Sequence, residues 1–168
     1  PEPDLTTGAV SPQNATSGIS TVLSVTVTNG GAVATDGTTF YDLFQTATDD
    51  QGTNATDIGK YRDTSTLAGN GGSDTATLSY TFPSAGTYYV RVCADKSSAG
   101  DTGVITETDE DNNCGNGGPG GWVPVTVAQG AFVSCAANPT SGDTTTDFTY
   151  SATPTGNYGG SGNYIYQW

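Results

Sequence analysis

The sequence contains no histidine and no methionine, and only four of its 168 residues are Lys or Arg. Histidine is the commonest general base and metal ligand, so its absence excludes serine- and cysteine-hydrolase triads and the usual zinc enzymes. We therefore expect a protein that is not an enzyme. Because the chain starts with Pro1 and lacks an initiator methionine, we also expect a processed product or a segment of a longer protein.

Positive charge is scarce, since 17 acidic residues against 4 basic ones give a formal net charge of −13. Such a surface repels phosphate backbones and anionic lipid headgroups, so we expect no nucleic-acid partner. No apolar run approaches the ~18 residues of a transmembrane helix, which predicts no membrane insertion. Few lysines, many Thr and Gly residues and three cysteines are typical of a secreted or cell-surface protein in an extracellular, oxidising space.

Helical periodicity is missing as well, and apolar residues instead alternate with polar ones at a period of two. Leu23, Val25 and Val27, for example, alternate with Ser and Thr. The same pattern predicts further strands at residues 40–44, 75–82, 87–93 and 122–127, with a short edge strand at 58–62. We predict a hairpin between 75–82 and 87–93. About seven short strands without a crossover helix predict an all-β, antiparallel immunoglobulin-like β-sandwich.

A second group of strand patterns follows the Gln-Gly step at residues 129–130. It covers residues 132–135, 147–151 and 164–168, which is too short a stretch to bury a core of its own. We therefore predict one sandwich over residues 1–128 and an incomplete second immunoglobulin-like module over residues 129–168. The aromatic ending at Trp168 is expected to need further strands, either from the same protein or from a neighbouring subunit.

Five stretches of the first module carry a recognisable pattern, namely Pro3-Asp4-Leu5, Val25-Thr26-Val27-Thr28-Asn29-Gly30-Gly31, Val92-Cys93-Ala94-Asp95, Gly103-Val104-Ile105 and Glu107-Thr108-Asp109-Glu110-Asp111-Asn112-Asn113. Together they resemble the CARDB family, the cell-adhesion-related domain of bacterial and archaeal surface proteins. The resemblance covers residues 1–128. It implies an immunoglobulin-like sandwich.

The remaining residues contain Val133-Ser134-Cys135, Asn138-Pro139, Phe148-Thr149-Tyr150, the Gly-rich run at 159–164 and Tyr166-Gln167-Trp168. This stretch resembles the first half of a PKD-type domain. Both resemblances imply tandem modules on secreted or surface proteins, with structural, adhesive or spacer roles and without catalysis. They also imply neighbouring domains or identical subunits as partners.

Acidic residues recur at every second position after the predicted strand 87–93. A hard cation such as Ca²⁺ stabilises crowded carboxylates and takes six to eight oxygen ligands. We therefore predict a calcium site formed by Asp95, Glu107, Asp109, Asp111 and Asn113. An EF-hand is excluded, because Cys114 stands where that loop requires Gly. The alternative is that Asn112 and Asn113 cap the backbone while the acids are solvated. No other cofactor is expected.

The three cysteines predict one disulfide. Cys93 ends a strand and Cys114 follows the acidic stretch, so a bridge between them would tie that stretch to the sheet, with a value of roughly 3 kcal/mol. Free buried thiols are the alternative. Cys135 is left over, and we expect its partner to lie in sequence that is missing from this chain.

Two glycosylation sequons, at Asn14 and Asn54, lie in polar stretches that we expect to be exposed. Their occurrence by chance in a Thr-rich chain is the alternative.

We expect a structural module of an extracellular fibre or surface protein. A carbohydrate- or protein-binding adhesin module attached to a larger secreted protein or hydrolase, with a cell-surface or glycan target, is the second hypothesis. A glycosidase would need two carboxylates flanking a cleft, and Glu107 and Asp109 lie in one short loop.

Overall fold

The computed structural model describes residues 1–115, 119–130, 132–138, 142, 145 and 149–155. Within them the chain is almost entirely β-structure, with one short 3₁₀ turn at Pro119–Gly121. No helix in this part of the chain is long and apolar enough to cross a bilayer. The strands are β1 (Leu5–Thr7), β2 (Asn14–Thr16), β3 (Ser20–Asn29), β4 (Phe40–Ala47), β5 (Thr56–Asp63), β6 (Gly72–Thr81), β7 (Gly86–Cys93), β8 (Val123–Ala128), β9 (Phe132–Asn138) and β10 (Thr149–Thr155).

The first sheet has three strands in the order β1-β3-β6, all antiparallel. Strand β3 pairs with β6 along its whole length, from Ser20 opposite Thr81 to Asn29 opposite Gly72. Side chains alternate between two faces at a period of two. Leu23, Val25 and Val27 are buried, whereas the intervening Ser and Thr residues form a hydroxyl-rich outer face.

The second sheet has five strands in the order β2-β8-β7-β4-β5. Its pairings are antiparallel except for the short parallel pairing of β2 with β8. The predicted short strand at 58–62 is present within β5, at the edge of this sheet. Pro124 lies opposite Tyr89 of β7, and β2 pairs with β8 only from Thr126 onwards, so the proline occupies a stretch of β8 with a single neighbour, as proline requires.

The predicted hairpin between residues 75–82 and 87–93 is wrong. Strand β6 belongs to the first sheet and β7 to the second, so residues 83–86 carry the chain from one sheet to the other. Phe82 is fully buried at this crossing and contacts Tyr80 and Tyr88, each at 4.9 Å between ring centroids. A hairpin and a crossing both bury one apolar face of each strand, so the alternating pattern alone does not distinguish them.

The two sheets enclose one core, which confirms the predicted immunoglobulin-like β-sandwich. The first sheet contributes Leu5, Leu23, Val25, Val27 and Ala76, and the second contributes Phe40, Phe44, Val90, Val92, Val125 and Val127. Gly59 belongs to this packing, because its backbone runs so close to Leu78 that a Cβ would lie 2.7 Å from Leu78 Cδ1. Burial of apolar surface between the sheets supplies the main driving force for folding.

Two of the three strands predicted in the C-terminal segment are present, as β9 and β10. Strands β9 and β10 form a separate two-stranded antiparallel sheet, with Cys135 opposite Ala152. The predicted strand at 164–168, including Trp168, lies outside the described residues. The two described strands do not by themselves show a second incomplete module.

Candidate functional site

The acidic loop, defined as residues 95–113, leaves the end of β7 and returns to it. Cys93 and Cys114 form a disulfide with Cα atoms 4.0 Å apart, and the Ala94 N–H donates to the Asn113 carbonyl at 2.9 Å. The predicted disulfide is therefore present and closes the loop at its base.

Glu107 points inward from this loop and is 6% exposed. Its Oε2 accepts the backbone N–H of Leu5 in β1, and its Oε1 accepts the Asn113 amide at 2.7 Å. Burial raises the pKa of Glu107 to about 7, although both hydrogen bonds oppose the rise. The carboxyl group thus connects the loop of the second sheet to the first strand of the first sheet.

Asp95 connects the two sides of the loop. It has a positive φ of 49°, and its Oδ2 accepts the backbone N–H groups of Val104 at 2.8 Å and Ile105 at 2.6 Å. Gly103, with φ +89°, passes so close that a Cβ would lie 2.3 Å from Asp95 Oδ2. Burial raises the pKa of Asp95 to about 6. Only glycine fits at position 103 without displacing this carboxylate.

Asp109 and Asp111 differ from these buried residues because both are exposed. The Asp111 N–H donates to Asp109 Oδ1 at 3.0 Å, which is a turn within the loop. The structure therefore places the five predicted calcium ligands in two settings. Asp95, Glu107 and Asn113 are buried among hydrogen-bond donors, whereas Asp109 and Asp111 face solvent.

A calcium site at these residues stays a prediction. Across the part of the chain that the structure describes, no three acidic or cysteine side chains are grouped as they would be around a metal ion. The two asparagines bond to acidic side chains: Asn112 Nδ2 donates to Asp4 Oδ1 at 2.7 Å and Asn113 Nδ2 to Glu107.

A groove of about 320 Å³ runs between the acidic loop, the N-terminal residues and the segment before β4. Val33 and Val104 line it and are 39% and 62% exposed. Pro1 and Pro3 also line it. This groove exposes apolar side chains among polar ones beside the loop.

Three aromatic side chains of the described strands, Tyr80, Tyr88 and Trp122, pack against other side chains. Tyr80 and Tyr88 are partly buried and pack against the core. Trp122 is 3% exposed but lies outside the core cluster, beneath the Arg91 guanidinium at 4.4 Å from its ring centroid. Gly52 closes over the same ring, since a Cβ there would lie 2.7 Å from Trp122 Nε1.

Both predicted glycosylation sequons are on the surface. Asn14 is exposed in the short strand β2, and Asn54 is exposed in the turn before β5 with a positive φ of 54°. Their glycosylation stays a prediction. Cys135 lies in β9, and the state of its thiol lies outside what the structure describes.

Two buried acids in the second sheet were missed by the sequence reasoning. Asp42 of β4 is fully buried and Asp63 of β5 is 1% exposed. Burial is the main cause that raises the pKa of Asp42 to about 8, and the charge of the neighbouring Asp63 adds to this rise. Burial also raises the pKa of Asp63. The alternation of β4 carried a signal, because it places Asp42 on the same face as Phe40 and Phe44.

The comparisons with known proteins agree with this fold. The profile of the CARDB family matches residues 2–116. A crystal structure of a CARDB domain from Pyrococcus furiosus, described as in complex with di-metal ions, is 19% identical, with a TM-score of 0.51 over 75% of this chain and 89% of that one. A solution NMR structure of the same Pyrococcus furiosus domain is 21% identical, with a TM-score of 0.51 over 75% of this chain and 95% of that one.

At these identities the two structures show a shared fold. No curated protein matches the chain. The family match ends at residue 116, and nothing in the comparisons supports the resemblance of residues 129–168 to a PKD-type domain.

Proposed function

Because this chain belongs to the CARDB family, we propose that it is a non-catalytic structural module of an extracellular surface protein or filament, acting as a spacer, an adhesive element or a fibre subunit. The observation that carries this proposal is the structural role of the Glu107 carboxyl group. Its carboxyl group is buried and engaged by Leu5 and Asn113, so it holds two parts of the fold together. Asp109, its partner in the enzyme hypothesis, is exposed to solvent.

An extracellular location is supported by the disulfide at the base of the acidic loop. Disulfides persist in oxidising spaces and are rare in the cytosol. The two exposed sequons at Asn14 and Asn54 are compatible with the same location. Mass spectrometry of the native protein, without reduction, tests both features, because an oxidised Cys93–Cys114 pair is expected.

The fibre-subunit form of the proposal is supported by β9 and β10. Among the described residues of this segment, the two strands pair with each other, and a sheet of two strands is marginally stable alone. We propose that strands from a neighbouring subunit complete this sheet, which gives head-to-tail growth that does not close. A preparation of residues 131–168 that is folded and monomeric on its own would contradict it.

The acidic loop is the proposed calcium-responsive part of this module. The related Pyrococcus furiosus domain is described with bound metal ions. In this chain Asp109 and Asp111 are exposed at the surface of the loop, and the exposed Glu110 lies between them. Calcium is expected to raise the melting temperature of the wild type and to have a smaller effect in the Asp109→Asn/Asp111→Asn variant. Equal shifts in both proteins would reject this loop as the calcium site.

The adhesin hypothesis has one observation in its favour, the groove with exposed Val33 and Val104. Exposed apolar surface of this kind marks interaction sites. A glycan array and a pull-down against surface proteins test it, with Val104→Ser as the variant expected to lose binding. No binding in either assay favours the structural role alone.

A further inference from the structure

The N-terminal residues and the end of β8 lie at opposite ends of the sandwich. The Asp4 N–H donates to Asn29 Oδ1 at 3.0 Å, at the last residue of β3. Gly130 instead contacts Ser17, just before β3 begins. Strand β3 has ten residues, so roughly 30 Å separate these two places. Gly130 therefore marks the end of the module that lies opposite Asp4.

Hydrogen bonds to Ser17 hold the chain where it leaves β8. The Ser17 N–H donates to the Ala128 carbonyl at 2.9 Å, and the Gly130 N–H donates to Ser17 Oγ at 2.9 Å. Ser17 and Gly130 are both buried, and a Cβ at position 130 would lie 2.5 Å from the Ser17 carbonyl oxygen. Gly130 is thus part of the fold and does not begin a free linker.

The segment that crosses between the two sheets supports this anchor. The Gly18 N–H donates to the Phe82 carbonyl at 3.0 Å, and the Phe82 side chain is fully buried. Backbone that is held by buried side chains and hydrogen bonds opens rarely. Ser17, which is the neighbour of Gly18, therefore offers Gly130 a fixed partner.

An open pocket of about 300 Å³ lies beside the anchor, and we call it the exit pocket. Residues 17–19, 83–84 and 129–130 line it. Ile19 is 59% exposed there, and Pro83 is exposed as well. Their side chains give the exit pocket an apolar surface that a neighbouring segment can cover.

We propose that the exit pocket is a docking site for residues 131–168 of the same chain, so that Gly130 is a fixed joint between two units. The proposal rests on the structural-module role proposed above and adds how consecutive units are connected. The occupant follows from continuity, because Gly130 lines the pocket and directly precedes residue 131. A segment that is tethered at the pocket wall has a high effective concentration there.

The composition of residues 131–168 fits this pocket. Seven of these residues are aromatic, and two aspartates are their only charged residues. The described strands of this segment form a two-stranded sheet, which is marginally stable alone and gains from packing on apolar surface. A second copy of the whole chain, with its net charge of −13, would meet stronger repulsion at the same place. The chain's own C-terminal segment is therefore the favoured occupant.

A fixed joint changes what the module does as a spacer. Units connected by a flexible linker sample many separations, whereas docking at the exit pocket sets the distance and the direction of the next unit. Because Gly130 lies at the end of the sandwich opposite Asp4, the next unit extends away from the N-terminal end.

The test measures ¹⁵N relaxation on the full, oxidised chain at low concentration. In the wild type, the amides of β9 and β10 should share the overall correlation time of β3, with order parameters near 0.85. In the Ile19→Ser and Gly130→Ala variants they should lose this shared correlation time, and their order parameters should fall below about 0.6. The amides of β3 should keep their wild-type values.

Val22→Ser is the matched control. Among the described residues, Val22 has the same 59% exposure as Ile19 but lies outside the exit pocket. The control should therefore behave like the wild type. The amide shifts of β3 report whether each variant is folded, and Gly130→Ala replaces Ile19→Ser if the latter does not fold.

Three results would overturn the proposal. The first is a wild type in which β9 and β10 tumble independently of β3. The second is a folded Ile19→Ser or Gly130→Ala variant with wild-type relaxation, and the third is an equal loss in Val22→Ser. Fibre formation is a separate measurement, so a failed joint leaves the filament proposal standing, and an absence of fibres leaves the joint standing.

Discussion

The Glu107 carboxylate accepts the backbone N–H of Leu5, a residue 102 positions earlier in the chain. This contact joins the acidic loop of one sheet to the first strand of the other. Asn113 holds the second oxygen of the same carboxylate at 2.7 Å. In the sequence this loop resembles a surface cluster of acids. In the structure one of these acids, Glu107, is buried and fixes the loop to the first sheet.

Replacing Glu107 with Ala should lower the free energy of unfolding by about 2–3 kcal/mol, because it leaves the Leu5 N–H and the Asn113 amide without their acceptor. The matched control is Asp109→Ala, an exposed acid two residues away, which should change stability by less than about 0.5 kcal/mol. Urea unfolding of the oxidised proteins measures both. Equal effects of the two substitutions would show that the Glu107 contacts do not hold the loop.

Gly103→Ala should destabilise the protein by about 1–3 kcal/mol. The position has φ +89°, and the new Cβ would lie 2.3 Å from Asp95 Oδ2, so both backbone strain and a clash oppose the substitution. Gly100→Ala is the matched control, since a Cβ there meets no atom within 4 Å. Thermal unfolding should separate the two variants by several degrees, and a neutral Gly103→Ala would contradict the packing of Asp95 against this glycine.

Stability in metal-free buffer should fall as the pH rises from about 5 to 8. The pKa values of Asp42, Asp95 and Glu107 are raised to about 8, 6 and 7. The folded state therefore holds protons that the unfolded state has released, and stability is lost as the pH rises towards the folded pKa. Asp42 alone contributes on the order of 4 kcal/mol across three pH units.

Urea unfolding at pH 5 and pH 8 with chelator present measures this slope. Asp42→Asn should flatten it and should be more stable than the wild type at pH 8, because the amide carries no charge to desolvate. A wild type whose stability rises over the same range would contradict the burial of these acids.

Removing the disulfide should cost about 3 kcal/mol, since the crosslink closes a loop between residues separated by 21 positions. The Cys93→Ala/Cys114→Ala variant should unfold at lower urea and should no longer respond to reductant. Cys135→Ala is the control, and it should retain the wild-type sensitivity to reductant. If Cys135→Ala instead abolished that sensitivity, the stabilising disulfide would involve Cys135.

The sequence was sufficient to predict the sandwich, because each strand buries one face and therefore shows an alternating pattern. The alternation of Leu23, Val25 and Val27 with hydroxyl residues predicted β3 directly, and the cysteine positions predicted the bridge. It was not sufficient to predict that residues 83–86 cross between the sheets, because a hairpin and a crossing bury the same side chains. Pairing partners such as β2 with β8 depend on register in three dimensions.

The candidate site was predicted only in part for a related reason. The crowded acids in residues 107–111 predicted a site in the loop, but the sequence pattern does not determine which of these carboxylates are buried. Glu107 is fixed by Leu5, which is distant in sequence, and no local pattern links the two. Asp42 was visible as a polar residue on an apolar strand face, whereas the position of Asp63 beside it depends on the register between β4 and β5.

Electron microscopy of the native, oxidised protein, with calcium and with chelator, is the most direct test of the structural-module proposal. The proposal predicts regular fibres or ordered surface assemblies with calcium, and a loss of order after chelation. Dispersed single particles under both conditions would contradict the role as a filament-forming subunit.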